Sequence, residues 1–247
     1  MVKNINEEIR EVYKQYIKEL TVNHNYLLDK SKFSNFFVTG VLDNWEEKPN
    51  KILIVGEEGA WKKSVNYQDE ITACQDWVIK ELYEQLYGKK DNKGSFWKRA
   101  RKIAETFKNA SFGYANIDAI NSLESSNGAL VYKDRKELHL TNTKLLNEVV
   151  KIIKPTLVIF FGWHNVSLKH EFEGLYDKIY PEKHGNTRHF RNEKRAIGNY
   201  FENGVNYLFT YHPSYAISRT KLYKNNEEYD FYIMQTIKKI LGENNEN

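Results

Sequence analysis

The chain has 247 residues, a formal net charge of +4 and a pI near 8.8, which permit nucleic-acid binding without requiring it. Its single cysteine, Cys74, excludes an intramolecular disulfide and any iron–sulfur or zinc site built from several thiolates. No apolar run is long enough to cross a bilayer, and the first residues lack the apolar core of a signal peptide, so we expect a cytoplasmic protein without membrane contact. The many aromatic residues offer platforms for stacking bases, although a tyrosine-rich core explains them equally well.

Apolar residues recurring every three to four positions predict amphipathic helices at 5–20, 71–87, 96–107, 142–153 and 227–241. Thr141 or Asn142 is expected to cap the fourth of these, and Pro155 to close it. The third has a basic face, which suits either solvent or a phosphate; it is formed by Lys98, Arg99, Arg101 and Lys102.

Short apolar and aromatic runs predict buried strands at 51–56, 112–117, 156–162 and 207–211. Residues 57–61 are expected to form a loop after the first strand, and residues 118–140 a long polar loop after the second. Residues 33–42 are expected to form a loop or a short helix. A further loop at 182–195 is basic, with Arg188 and Arg191 among its cations.

The alternation of strands and helices predicts a three-layer α/β/α fold around a mostly parallel, four-stranded central sheet. No repeat or low-complexity linker divides the chain. We therefore expect one domain over residues 1–247, with a helical extension at about 1–50.

Polar side chains follow each predicted strand directly. They are Glu57 and Glu58, Asn116 and Asp118, His164 and Asn165, and His212. Because parallel strands end at one edge of a sheet, these side chains are expected to converge on one cleft.

The last predicted strand stops at His212-Pro213-Ser214. Pro213 cannot donate to a sheet ladder and disfavours helix at the residue before it, so His212 is expected in an extended conformation. Ser214 can cap the turn that follows, and Arg219 can bind a phosphate. This combination predicts chemistry on a nucleotide.

In these features the chain resembles the uracil-DNA glycosylase superfamily over roughly residues 50 to 220. The residues that carry the resemblance are Ile52 to Gly59, Asn116, Ile152 to Gly162, and Thr210 to Ser214. Gly59 replaces the usual proline of the first motif, and Ala60 an aromatic residue of one branch. The cluster cysteines of another branch are missing, so no iron–sulfur cluster, other metal or cofactor is expected.

The resemblance implies a role for each matching residue. His212 would stabilise the oxygen that gains charge, and Glu58 would act on the water and the cationic sugar. Asn116 would read the edge of a base turned out of the stack, with Glu57 and His164 beside it. The ring that covers the base would come from Trp61, Tyr67 or Phe112. DNA contacts would come from Ser214, Tyr215, Ile217, Arg219, Arg188 and Arg191.

The sequence thus predicts a monomeric, monofunctional DNA glycosylase that releases uracil or another altered base from single- or double-stranded DNA. The products would be a free base and an abasic site. Two alternatives remain. One is a catalytically inactive module of the same fold that binds DNA or a protein, which the altered first motif favours. The other is a hydrolase of free nucleosides or sugar nucleotides.

Overall fold

The computed structural model describes residues 4–23, 25, 36–58, 67–88, 94–119, 132–161, 197–211, 213 and 223–242. Within these ranges the chain forms helices α1 (Ile5–Asn23), α2 (Tyr67–Tyr87), α3 (Ser95–Thr106), α4 (Tyr132–Ile153) and α5 (Asn226–Leu241). The strands are β1 (Gly40–Val41), β2 (Asn50–Glu58), β3 (Ala110–Asp118), β4 (Leu157–Phe161), β5 (Gly198–Glu202) and β6 (Val205–Thr210).

The six strands form one sheet in the order β1-β3-β2-β4-β6-β5. The inner four strands are mutually parallel, while β1 and β5 pair antiparallel at the two edges. The predicted mixed α/β class with a mostly parallel sheet is therefore confirmed, but the predicted number of four strands is wrong. The four predicted strands are the inner ones.

Both missed strands lie at sheet edges. Strand β1 has only two residues, too few for a hydrophobic pattern, and it falls where a loop or short helix was expected. Strand β5 forms a hairpin with β6 through Asn203 and Gly204, whose φ angles are 52° and 81°. Positive φ at both central residues is the geometry that an Asn-Gly hairpin turn favours. The signal for this hairpin was therefore present in the sequence.

The hydrophobic core has two parts because alternate strand residues point to opposite faces of the sheet. Leu53 and Val55 join a cluster with α1 and α4, whereas Ile52 and Ile54 join a cluster with α3 and α5. Helix α2 contributes to both clusters. The sheet is thus buried on both faces, as expected for near-continuous apolar parallel strands.

Helix α4 begins at Tyr132, nearly three turns before its predicted start at residue 142. Residues 132–140, expected in a polar loop, are helical, and their charged, proline-free sequence fits a helix. Asn142 is consequently not a cap but a buried residue inside the helix, where its Oδ1 accepts a hydrogen bond of 2.9 Å from the Tyr16 hydroxyl of α1. The helix ends at Ile153, just before Pro155, as predicted. Trp45 Nε1 donates to the Ile153 carbonyl at 2.9 Å.

Helix α5 is closed at both ends by its own sequence. The Asn225 side chain accepts from the Glu228 amide at 2.9 Å, and Gly242 adopts the left-handed conformation with φ of 71°. These are the preferred residues for the two ends of a helix. None of the described helices is long and apolar enough to span a membrane.

Candidate functional site

The four inner strands end along the same edge of the sheet. In one row across them, Ala115 pairs with Val55, Val55 with Phe160, and Phe160 with Phe209. Adjacent strands lie about 4.8 Å apart, so the row spans about 14 Å from β3 to β6. The prediction that these strand ends share one edge is confirmed for the backbone. This edge is the usual ligand-binding edge of an open α/β sheet.

The two glutamates that follow the apolar run of β2 lie in the strand rather than in a loop. Strand β2 continues to Glu58, which pairs with Asp118 at the last position of β3. Residues 57 and 58 of the expected loop at 57–61 therefore belong to the strand, and residues 59–61 lie outside the described part of the chain. Neighbouring β3 is equally long, so its backbone supplies ladder partners beyond the apolar run. Glu57, Glu58 and Asp118 thus stand at the carboxyl edge.

Asn116 is a buried polar residue at this edge, with a relative exposure of 4%. It lies opposite Gly56 in the ladder, and its Oδ1 fills the space that a side chain at Gly56 would need. A Cβ built at Gly56 would lie 2.6 Å from that oxygen and 3.3 Å from the Tyr114 hydroxyl. Glycine at this position therefore leaves room for the amide of Asn116.

A cluster of aromatic rings lies beside the amide on the face of the sheet covered by α3. Tyr114 hydrogen-bonds the Asn116 side chain, and its ring contacts Phe96 and Trp97 of α3 at centroid distances of 5.5 and 4.9 Å. The Phe96 ring also meets Phe161 of β4 edge-on at 5.2 Å. An amide held between a glycine and aromatic rings is suited to binding a planar, polar ligand, since it presents both a donor and an acceptor.

Residue Arg99 of α3 lies beneath the end of β6 and not on a solvated basic face. Its Nε donates to Asp230 Oδ1 of α5 at 2.7 Å, and its Nη1 donates to the Tyr211 carbonyl at 2.8 Å. The neighbouring Arg101 donates to the Gln85 and Gly88 carbonyls at the end of α2. The predicted basic face is thus wrong for Arg99, which is buried; Arg101 is half-buried, and Lys98 and Lys102 are exposed.

Comparison with known proteins identifies no relative: no protein-family model matches the chain, and no curated protein matches its sequence. The chemistry of the site therefore follows from the chain's own residues.

Phe112, one of the expected base-covering rings, is fully buried in the middle of β3 opposite Ile52. It lies four residues, or about 13 Å, before Asn116 along the strand, and so belongs to the core. Tyr67 is the first residue of α2. The remaining predicted site residues lie outside the described part of the chain: Trp61, His164, Arg188, Arg191, His212, Ser214, Tyr215, Ile217 and Arg219.

Sequence reasoning missed Tyr114, Phe96 and Arg99 as members of the site. A usable signal existed for Phe96, because Phe96, Arg99 and Ile103 follow helical spacing and so share one face of α3. For Arg99 this spacing indicates the face of the helix but not the partner. Tyr114 carried a signal as well, since it stands two residues before Asn116 and strand residues alternate faces. Among the described residues, no three histidine, cysteine or acidic side chains are grouped to hold a metal ion.

Buried tyrosines give the protein a predicted sensitivity to alkali. Burial raises the pKa of Tyr114 above 10.0, repulsion from Glu81 adds to the rise, and the hydrogen bond with Asn116 opposes it. Burial likewise raises the pKa of Tyr229, opposed by its hydrogen bond with Tyr211 and by the charge of Arg99. Burial also raises the pKa of Tyr13, against its two hydrogen bonds with Thr39.

Each of these tyrosines has a higher pKa in the folded than in the unfolded chain. Its contribution to the free energy of unfolding is therefore complete below about pH 10 and is lost as pH rises through its folded-state pKa. Each tyrosine should lower the free energy of unfolding by about 1.4 kcal/mol per pH unit in that window. Urea unfolding at a series of alkaline pH values measures the slope. The double variant Tyr114→Phe/Tyr229→Phe should show a shallower slope, and an unchanged slope would contradict the assignment.

Proposed function

We propose that the protein is a monofunctional DNA glycosylase with a uracil-DNA glycosylase-like α/β/α sandwich. It hydrolyses the N-glycosidic bond of uracil or another altered base and leaves an abasic site. The observation that carries the proposal is the buried Asn116 amide at the edge where four parallel strands end. The outermost of these strands, β6, leads within two residues to His212.

In this reaction the bond between C1′ of the sugar and the base nitrogen breaks, and the electron pair leaves with the base. Water adds to C1′ and loses a proton, and the departing base takes up a proton, so the products are an abasic sugar and a neutral free base. The sugar becomes cationic and the base anionic in the transition state. His212 would donate to the base oxygen that gains charge, while Glu58 would stabilise the sugar and orient the water.

Base selection is assigned to the surroundings of Asn116. One side-chain amide offers an N–H donor and a C=O acceptor, which matches the adjacent acceptor and donor on the edge of uracil. A base inside a duplex must first leave the stack, at a cost of a few kcal/mol. Tyr215 and Ile217 would fill the gap, while Ser214, Arg188, Arg191 and Arg219 would hold the phosphates.

The test is an assay of base release from single- and double-stranded oligonucleotides that contain one uracil, hydroxymethyluracil, hypoxanthine or alkylated base. Alkali cleaves the abasic product, and mass spectrometry identifies the free base. Oligonucleotides with only the four normal bases serve as the matched substrate control. Release of an altered base with no cleavage of the control strand supports the proposal.

The other candidate functions give different outcomes in the same experiment. An inactive binding module would bind DNA in a salt-dependent manner and release no base. A nucleoside hydrolase would release base from free deoxyuridine and not from the oligonucleotides. Either outcome would overturn the assignment as a DNA glycosylase.

Enlarging Gly56 should damage base recognition more than it damages the fold. In Gly56→Ala the new methyl would lie 2.6 Å from Asn116 Oδ1, so the amide must move. The value of kcat/KM should fall by about tenfold or more, since a displacement near 1 Å at a reacting group is enough for such a loss. Overpacking should lower the free energy of unfolding by about 1–3 kcal/mol.

The matched control is Gly113→Ala in the same sheet. Its methyl would lie 2.9 Å from Val41 Cγ1 and 3.1 Å from Leu53 Cδ1, so it strains the core without touching Asn116. It should lose stability while kcat/KM stays within about twofold of wild type. Equal losses of kcat/KM in the two variants would show that Gly56 has no special relation to the site.

A further inference from the structure

Both backbone polar groups of Tyr211, the residue after β6, are held by side chains from helices. Its N–H donates to the Tyr229 hydroxyl of α5 at 2.9 Å, and its carbonyl accepts from Arg99 Nη1 of α3 at 2.8 Å. The same carbonyl lies 3.3 Å from Thr210 Oγ1, which can also donate to it. The backbone of Tyr211 is therefore more tightly constrained than that of a strand end whose N–H and carbonyl groups bond only to water.

The arginine that holds this carbonyl is itself locked in place. Arg99 is 3% exposed, its Nε is bound to Asp230, and its guanidinium lies 5.6 Å from the Phe161 ring centroid and 5.3 Å from that of Tyr229. The guanidinium has a rigid planar fork, so fixing Nε on Asp230 also fixes where Nη1 can donate. Asp230 and the two rings therefore aim Nη1 at the Tyr211 carbonyl.

The Tyr211 carbonyl belongs to the peptide unit that joins Tyr211 to His212. This unit is planar, so its oxygen, carbon and nitrogen and the two flanking Cα atoms move together. A donor that fixes the oxygen thereby restricts the direction in which the chain continues to the histidine. Burying an ion pair is costly, and replacing both of its partners by hydrophobic residues is often neutral or stabilising, so stability alone does not explain the pair of Arg99 with Asp230.

We propose that Arg99, Tyr229 and Asp230 form a clamp on Tyr211 that positions His212 for catalysis. The proposal rests on the function assigned above, in which His212 stabilises the departing base. The three residues do not touch the substrate and are positioning residues. Their effect is on the placement of the imidazole, and so on kcat more than on KM.

The test compares Tyr229→Phe with Tyr13→Phe. Each substitution deletes one buried hydroxyl that accepts a backbone N–H, from Tyr211 at 2.9 Å in the first case and from Thr39 at 3.1 Å in the second. Tyr13 belongs to α1 on the opposite face of the sheet, so both variants lose an acceptor of a backbone N–H and differ in place, and Tyr13→Phe also loses the hydrogen bond with Thr39 Oγ1 at 3.0 Å. Arg99→Lys is the second clamp variant, because it keeps the charge and loses the fork.

We expect similar losses of thermal stability in the two tyrosine variants. Only Tyr229→Phe should lower kcat, by about tenfold, with KM within about twofold of wild type. Arg99→Lys should lower kcat in the same way. An equal kcat in Tyr229→Phe and Tyr13→Phe would overturn the positioning role.

A second readout does not depend on turnover. The imidazole signals of His212, assigned by their loss in His212→Ala, are recorded by NMR in each variant. Tyr229→Phe and Arg99→Lys should shift these signals, and Tyr13→Phe should leave them in place. If the wild type releases no base, the proposed function is wrong. The NMR comparison still tests whether the clamp positions His212. Unshifted signals in both clamp variants would overturn it.

Discussion

Replacing His212 by alanine is expected to lower kcat by about 10²–10³-fold, equivalent to about 2.7–4 kcal/mol of transition-state stabilisation. The departing base gains negative charge only as its bond to the sugar breaks, so a donor at that oxygen acts on the transition state and hardly on the ground state. KM should therefore change little. Steady-state kinetics on the best oligonucleotide substrate gives both constants.

The matched control for this substitution is His139→Ala. His139 lies within α4, which packs on the other face of the sheet from Asn116. It should keep kcat within about twofold of wild type, because substitutions at sites that share no partners usually act independently. The catalytic role of His212 is contradicted when His212→Ala retains more than about a tenth of the wild-type kcat.

Replacing Arg99 by methionine is expected to lower the free energy of unfolding by about 3 kcal/mol, the lower end of the range for breaking a buried ion pair. The variant removes the arginine partner of Asp230, which is 17% exposed, and the Arg99 donor of the Tyr211 carbonyl, which keeps Thr210 Oγ1 at 3.3 Å. Asp230 keeps some contact with water, and this contact partly solvates the unpaired carboxylate. We therefore expect a loss at the lower end of the range. Urea unfolding followed by circular dichroism measures it.

Two further variants distinguish the contribution of the ion pair to the free energy of unfolding from that of lost packing. Lys151→Met breaks an exposed pair with Glu148 and should cost no more than about 0.5 kcal/mol. The double variant Arg99→Met/Asp230→Leu also removes the carboxylate that has lost its ion-pair partner, and it should recover part of the free energy of unfolding. A loss below about 1 kcal/mol in Arg99→Met, or no recovery in the double variant, would show that the pair is not energetically important.

The central fold could be predicted because its signals are local. Strand runs such as Ile52–Val55 are apolar throughout, and the helices repeat apolar residues at helical spacing. The edges of the sheet were missed for different reasons. Gly40–Val41 is too short for any pattern, whereas Asn203-Gly204 marks a hairpin that was overlooked. In α4 the polar composition of residues 132–140 favours a loop, although these residues contain no proline or glycine that would break a helix.

The site was predictable where it depends on strand order and not where it depends on packing between distant segments. Asn116 could be found because it follows a run of strand residues and parallel strands end together. Arg99 could not be assigned in the same way, since its partner Asp230 lies 131 residues later in the chain. Sequence alone shows a cation on a helix, and only the packing of α3 against α5 and β6 makes it a buried clamp.

The most direct test of the account is a crystal structure of the protein soaked with free uracil. The base should lie at the carboxyl edge of the sheet with its polar edge hydrogen-bonded to the Asn116 amide, and the imidazole of His212 should approach one of its carbonyl oxygens. Uracil bound elsewhere, or an imidazole of His212 separated from Asn116 by more than the width of the base, would contradict the proposed site.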